Sequence, residues 1–172
     1  MVMFKLHKGA DKWCSKLKIG SGSKDSSDAI KTKLDFFYLC FLLGVSKGQQ
    51  LYPSVGQTVD IIDHWTKEFV DYRDLMIGVL LFGSLDSQKI KITKDNKALI
   101  QSELNKLIDG NSVVRMSSDG MGLINAYAYA GFEIMQDEDA GVGYAEDQIT
   151  FLSWFCEQVL PKYFDGFGVS GN

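Results

Sequence analysis

Apolar positions recur every three or four residues along most of this chain, the period of a helix lying on a core. The densest run is Ala29 to Leu43, where Ile30, Leu34, Phe37 and Phe41 set the stripe and the second half is apolar on all sides. That pattern predicts a buried, central helix, N-capped by Asp28 and stopped by Gly44 at its C′ position. A helix apolar nearly all round either fills the middle of a fold or supplies a contact between copies. Helical spacing resumes at Ile61, Ile62, Trp65, Phe69 and Tyr72, with Thr58 or Asp60 as cap. After a break near Tyr72–Asp74 it continues through Leu75, Met76, Val79, Leu80 and Phe82, and ends between Gly83 and Gln88.

Three more helical segments follow. Asp95 to Ile108 turns Leu99, Ile100, Leu104, Leu107 and Ile108 inward, and Gly110 stops it. Ser118 caps a helix whose face is Leu123, Ile124, Tyr127, Ala128, Gly131, Ile134 and Met135. Its small residues, Gly120, Gly122, Ala126, Ala128, Ala130 and Gly131, predict a close approach to a neighbouring helix. The last segment, Asp147 to Val159, points Ile149, Leu152, Phe155, Cys156 and Val159 inward, and Pro161 stops or kinks it. Between these lie Lys89–Thr93 (KIKIT), whose alternation reads as a short strand or an extended connector, and Ser112–Met116, extended at best.

At the N-terminal end, residues 9–18 can form a short amphipathic helix with Trp13 and Leu17 on one face. Ile19 to Asp28 is rich in Ser and Gly and apolar only at its start, so it reads as a linker. The prediction is an all-α fold: a compact bundle of about six helices over residues 29–172, preceded by a basic N-terminal arm and linker over residues 1–28. No internal repeat is present.

Composition leaves that picture unchanged. With 172 residues, 45% hydrophobic and 23% charged, the chain has the make-up of one globular domain. The longest dense apolar run, Phe36 to Val45, is far short of the ~20 residues a bilayer helix needs. Met1 to Leu6 lacks the apolar stretch and cleavage site of a secretory signal. Cys14, Cys40 and Cys156 are widely spaced and odd in number, which fits free thiols in a reducing compartment, so a cytoplasmic location is expected.

Charge does change the picture. Residues 1–33 hold eight Lys and three Asp, a net of +5, and the remainder holds ten Lys/Arg and nineteen Asp/Glu, a net of −9. Lys8, Lys12, Lys16, Lys18 and Lys24, with Trp13 among them, could hold phosphates by point charge and stack a base, or meet an acidic protein face. With no Arg in the arm, nucleic-acid binding would be blind to sequence and sensitive to salt. Asp137, Glu138, Asp139, Glu146 and Asp147 form an acidic stretch suited to docking a basic partner. It lacks the ligand spacing of a calcium loop.

No catalytic constellation emerges. The Gly/Ser stretch GSGSKDSS departs from the phosphate-loop pattern, since Lys24 follows Ser23 rather than Gly. His7 and His64, the only histidines, are not clustered with Cys, so no metal or cofactor is expected. Cys40 and Cys156 sit on apolar helix faces as inert thiols. Cys14, among Lys12, Lys16 and Lys18, would favour the thiolate if exposed, and this leaves a cysteine enzyme as a distant alternative.

Two stretches, KTKLDFFYLCFLLGVSKG (Lys31 to Gly48) and MSSDGMGLINAYAYAGFEIMQDE (Met116 to Glu138), carry the features F-x-Y-x-C-x-x-x-G and YA-x-x-G-x-E. In these the chain resembles small helical accessory proteins of bacterial phage-defence islands, those associated with DNA phosphorothioation, over roughly a quarter of its length. The resemblance implies a non-catalytic subunit that supports larger ATPase or nuclease partners, and it carries no catalytic residues. The expected function is therefore an interaction subunit of an anti-phage defence or DNA-transaction complex. It would have a protein partner, no membrane association and scope for self-association, with sequence-independent nucleic-acid binding as the alternative.

Overall fold

The structure is a computed structural model that describes residues 3–20, 29–138 and 147–164. It is mostly helical and carries one small sheet. In chain order the elements are β1 (Phe4–His7), α1 (Lys8–Lys16), α2 (Lys33–Ser46), β2 (Thr58–Ile62), α3 (Lys67–Val70), α4 (Arg73–Ser87), α5 (Lys97–Leu107), α6 (Ser118–Asp137), α7 (Gln148–Trp154) and α8 (Leu160–Phe164). A 3-10 turn, Lys94–Asn96, leads into α5, and a π-helical turn, Phe155–Val159, joins α7 to α8.

Helix α2 is the central element. Leu34, Phe36, Phe37, Cys40, Phe41 and Leu43 are all essentially sealed from solvent. It begins one turn later than its apolar pattern suggested, because Thr32 and Asp35 close a capping box: each side chain receives the other's backbone N–H. Nor does Gly44 stop it. The helix runs on to Ser46 and ends at Gly48, whose φ of 64° permits a Schellman closure. Gly48 N donates to Val45 O and Gln49 N to Gly44 O. Helices α1 and α4 close the same way, with Lys18 and Lys89 taking the left-handed position at φ 57° and 58°.

Gly44 is glycine for another reason. A Cβ there would lie 2.0 Å from the Tyr127 carbonyl oxygen of α6, and one on Gly131 would lie 1.7 Å from the Cys40 carbonyl oxygen of α2. The two helices therefore run antiparallel with their backbones in contact, as the small residues of α6 predicted. Gly120 makes a third close approach, to the Leu107 carbonyl at the end of α5.

Three expectations are corrected. First, the fold is not all-α, because β1 and β2 pair antiparallel with Leu6 opposite Val59 and His7 opposite Thr58. Four of the five residues in Thr58–Ile62 are β-branched, which favours a pleated strand over the helix start that Ile61 and Ile62 suggested. The only helix in that stretch is the single turn α3. Second, of the two readings of Lys89–Thr93 the strand falls and the connector stands: the turn that closes α4 ends at Lys89, and residues 90–92 are irregular. Third, the basic N-terminal stretch is not an arm outside the core. Phe4 and Leu6 alternate with Lys5, and Ala10, Cys14 and Leu17 follow helical spacing, so all five apolar residues are buried while the lysines face out.

Side-chain amides fasten this N-terminal layer. The free edge of β1 is covered by Asn125 of α6, whose Oδ1 accepts from Lys5 N at 2.9 Å and whose Nδ2 donates to Met3 O at 3.0 Å. Gln148, buried at the start of α7, accepts from Ile30 N and donates to Leu17 O. Gly20 N donates to Lys31 O, so the two ends that flank residues 21–28 are held together. Of the other positions in the periodic apolar series, Phe37, Phe41, Trp65, Phe69, Tyr127 and Phe155 are buried, whereas Tyr72, Leu75 and Leu99 are exposed. Leu152 is half-buried. Ile149 is 70% exposed, and Cys156 is also exposed. Gln148 and Phe151 face inward in place of Ile149 and Cys156, and Phe155 and Val159 face inward as expected, so that Phe151, Phe155 and Val159 follow steps of four that the π turn maintains.

Candidate docking surface

Lys8, Lys12 and Lys16 project from the outer face of α1, one turn apart, and Lys18 is exposed just beyond. Lys24 lies outside the described residues. The row is not purely cationic, since Asp11 on α1 binds Lys33 Nζ at 2.6 Å. Trp13 points the other way. It makes T-shaped contacts with Phe36, Phe132, Phe151 and Trp154 and is partly buried against the core.

Of the acidic candidates, Asp139 and Glu146 lie outside the described residues and Asp137 is exposed at the end of α6. Glu138 and Asp147 are engaged within the chain. Glu138 binds Lys162 and accepts from the Tyr163 hydroxyl, contacts that hold its carboxyl below the usual range. Asp147 caps α7 through Thr150 N, and hydrogen bonds from Thr150 lower its pKa. Asp147 thus caps α7, and Glu138 ties the end of α6 to α8.

The cysteines reverse their expected order. Burial pushes the Cys14 thiol up to about 12, outweighing the opposing effect of Lys33, and burial raises Cys40 as well. Cys14 therefore does not favour the thiolate. Cys156, expected to point inward, is the exposed one.

His7 caps α1. Its Nδ1 accepts from Gly9 N at 2.8 Å and its Nε2 lies 2.9 Å from Glu133 Oε1. Nδ1 can accept only if it carries no proton, so the neutral tautomer has its hydrogen on Nε2, donated to Glu133. Burial lowers the pKa of His7, with Glu133 opposing. His64 is exposed beside Asp63. Among the described residues no three of His, Cys, Asp and Glu converge as metal ligands, and no helix is long and apolar enough to cross a membrane.

What the structure does assemble is an apolar groove between α2 and α4. Helix α4 carries two apolar faces. Met76, Ile77 and Leu80 pack inward, while Leu75 and Phe82 are exposed and Val79, between them in the i, i+4, i+7 series, is half-buried against the core. With Leu42 and Val45 of α2 they line a hollow of about 490 Å³. Gly78 lies between them and leaves space, since a Cβ there would meet nothing within 4 Å. Leu75 is 56% exposed and Phe82 39%.

The hollow does not end at Phe82. That side chain also borders a second recess of about 420 Å³ with Ile90 and Ile92. Ile92, 64% exposed, in turn borders a third of about 680 Å³ with Ile100 and Leu104 of α5. Sharing Phe82 and then Ile92 in their linings, the three hollows make a trough of neighbouring recesses, apolar along α4 and edged by Lys89, Lys91, Lys94 and Lys97 beyond it. No single site residue chosen from the sequence lies in it. The signal was the double set of apolar positions in Leu75–Phe82, more than one buried face requires.

No family model, curated protein or solved structure matches the chain. The functional reading therefore rests on this geometry.

Proposed function

We propose that the chain is a non-catalytic interaction subunit that docks a partner protein in the trough between α2 and α4. The observation that carries this is the outward face of α4, where Leu75, Val79 and Phe82 border an open groove floored by Gly78. Contiguous exposed apolar surface of this kind lowers its free energy by being covered, and such patches mark interaction sites. A groove flanked by two helices suits an apolar helix face at i, i+3/i+4 and i+7 spacing. Placement in a bacterial anti-phage defence or DNA-transaction complex is supported by the resemblance of residues 31–48 and 116–138.

Size-exclusion chromatography of the native host's extract tests the reading. Wild type should elute in an assembly larger than its own 19.2 kDa, and the double variant Leu75→Glu/Phe82→Glu should elute as the free chain. Leu75 is 56% exposed and Phe82 39%, and circular dichroism of the variant checks that the fold is retained. Wild type and variant eluting alike would refute the proposal.

The row of Lys8, Lys12 and Lys16 favours a second reading, sequence-independent binding of a polyanion. In that case log affinity for duplex DNA should fall with log salt by about 0.9 per phosphate contact. Changing Lys8, Lys12, Lys16 and Lys18 to Glu should then abolish binding. With Trp13 partly buried against the core, its stacking contribution is expected to be small. Absence of binding at low salt would remove this reading.

A further inference from the structure

We infer that the occupant of the trough is an acidic amphipathic helix, its apolar face on α2 and α4 and its carboxylates over Lys89, Lys91, Lys94 and Lys97. The inference rests on the docking reading above and adds the chemistry of the partner. Its ground is charge complementarity. Residues 34–172 carry a net −9, yet the stretch 86–97 has four Lys against Asp86 and Asp95, a net of +2. This local reversal of sign falls on the trough. Lys89 and Lys91 line the second recess, and Lys94 and Lys97 line the third.

Among the described residues no ion pair engages these four lysines, and the acidic residues within their own stretch are Asp86 and Asp95. The described ion pairs of lysine use Lys5, Lys33, Lys106 and Lys162 instead. The turn that presents them is nonetheless well defined. Lys89 closes α4 in the left-handed conformation, Ile90 N donates to Leu85 O, and Asn96 Nδ2 donates to Lys91 O. Cations on a fixed turn beside exposed Ile92 form a rim that attracts carboxylates and repels basic segments, while the apolar floor supplies the desolvated contact. The partner is therefore expected to be apolar on one face and net negative, with its acidic residues toward the end that passes Phe82.

The test is selection of random peptides, long enough for about four helical turns, from a phage-displayed library on the full chain. Enriched peptides should show apolar residues at i, i+3/i+4 and i+7 and a net negative charge. Their dissociation constants should rise about tenfold when Lys89, Lys91, Lys94 and Lys97 are changed to Glu together, and they should weaken with salt in wild type only. Gly78→Gln, whose Cβ meets nothing within 4 Å and whose longer side chain extends from a position lining the groove, should abolish binding while leaving the melting curve at or above wild type. Enrichment of neutral or basic peptides that Gly78→Gln still blocks would overturn the acidic partner and leave the docking reading standing. Peptides indifferent to Gly78→Gln, or no enrichment, would overturn both. A dimer in light scattering that Phe82→Glu dissociates would make the occupant a second copy and overturn the inference.

Discussion

Replacing Gly131 with Ala should force α2 and α6 apart. The new Cβ would sit 1.7 Å from the Cys40 carbonyl oxygen, with the Gly44 amide nitrogen 2.9 Å away. An ordinary non-bonded separation is about 3.5 Å, so the helices would have to part by about 2 Å. Neither obstacle is a side chain that can rotate: both are backbone in the middle of a helix. Overpacking of this kind costs about 1–3 kcal/mol and sometimes more, against which the better helix propensity of Ala returns about 1 kcal/mol. Because both obstacles are backbone, the cost lies at the upper end of that range, and the net loss should be about 2 kcal/mol. Gly122 provides the control. It is in the same helix, a Cβ there meets nothing within 4 Å, and Gly122→Ala should stabilise by about 0.5–1 kcal/mol. Urea unfolding followed by circular dichroism reads both. Equal stability of Gly131→Ala and wild type would refute the close approach of the two backbones.

Other outcomes follow from the same contacts. A thiol reagent at neutral pH should modify Cys156 alone in the folded protein, with Cys14 and Cys40 reacting only on unfolding; early modification of Cys14 would contradict its burial. Because the pKa of His7 is lowered on folding, the unfolded chain binds the extra proton first. Its contribution to stability is therefore complete above the unfolded value of about 6.5 and is lost as pH falls from there through the folded pKa. Melting temperatures should drop more steeply below pH 6.5 for wild type than for His7→Asn, which keeps a capping oxygen but does not titrate; parallel curves would refute the neutral cap. Asn125→Leu removes both partners of the β1 edge and leaves Lys5 N and Met3 O to find water or go unpaired, a cost of about 2–3 kcal/mol by chemical denaturation. A loss under about 0.5 kcal/mol would mean that edge is already solvated.

The helical core was legible because burial leaves a periodic trace. Phe37 and Phe41 of α2 and Tyr127 and Ala128 of α6 repeat at the spacing of the surface they share, and Gly131 announced the close contact. Gly44 was legible only as a glycine. Stop and close approach call for the same residue, and only the partner helix distinguishes them. The N-terminal layer was obscured by its lysines. Lys5, Lys8, Lys12 and Lys16 dominate the composition, while the Phe4–Leu6 alternation and the Ala10–Cys14–Leu17 stripe are short. Strand β2 was hidden because Ile61 and Ile62 also fit a helical series with Trp65 and Phe69. Asn125 and Gln148 left no local signal, since their partners lie more than a hundred residues away in sequence. The charged candidates were chosen for density of charge, which does not reveal that Glu138 and Asp147 are used at helix ends. The trough was visible in α4 all along, as an apolar pattern too wide for one buried face.

The most direct measurement of the docking claim is site-specific photo-crosslinking in the native host. A benzoylphenylalanine at position 82 places the reactive group in the trough, and one at position 149 places it on an exposed apolar residue of α7 that the trough does not include. The account predicts a discrete adduct from position 82, suppressed by Gly78→Gln, and none from position 149. No adduct at 82, or equal adducts from both positions, would contradict it.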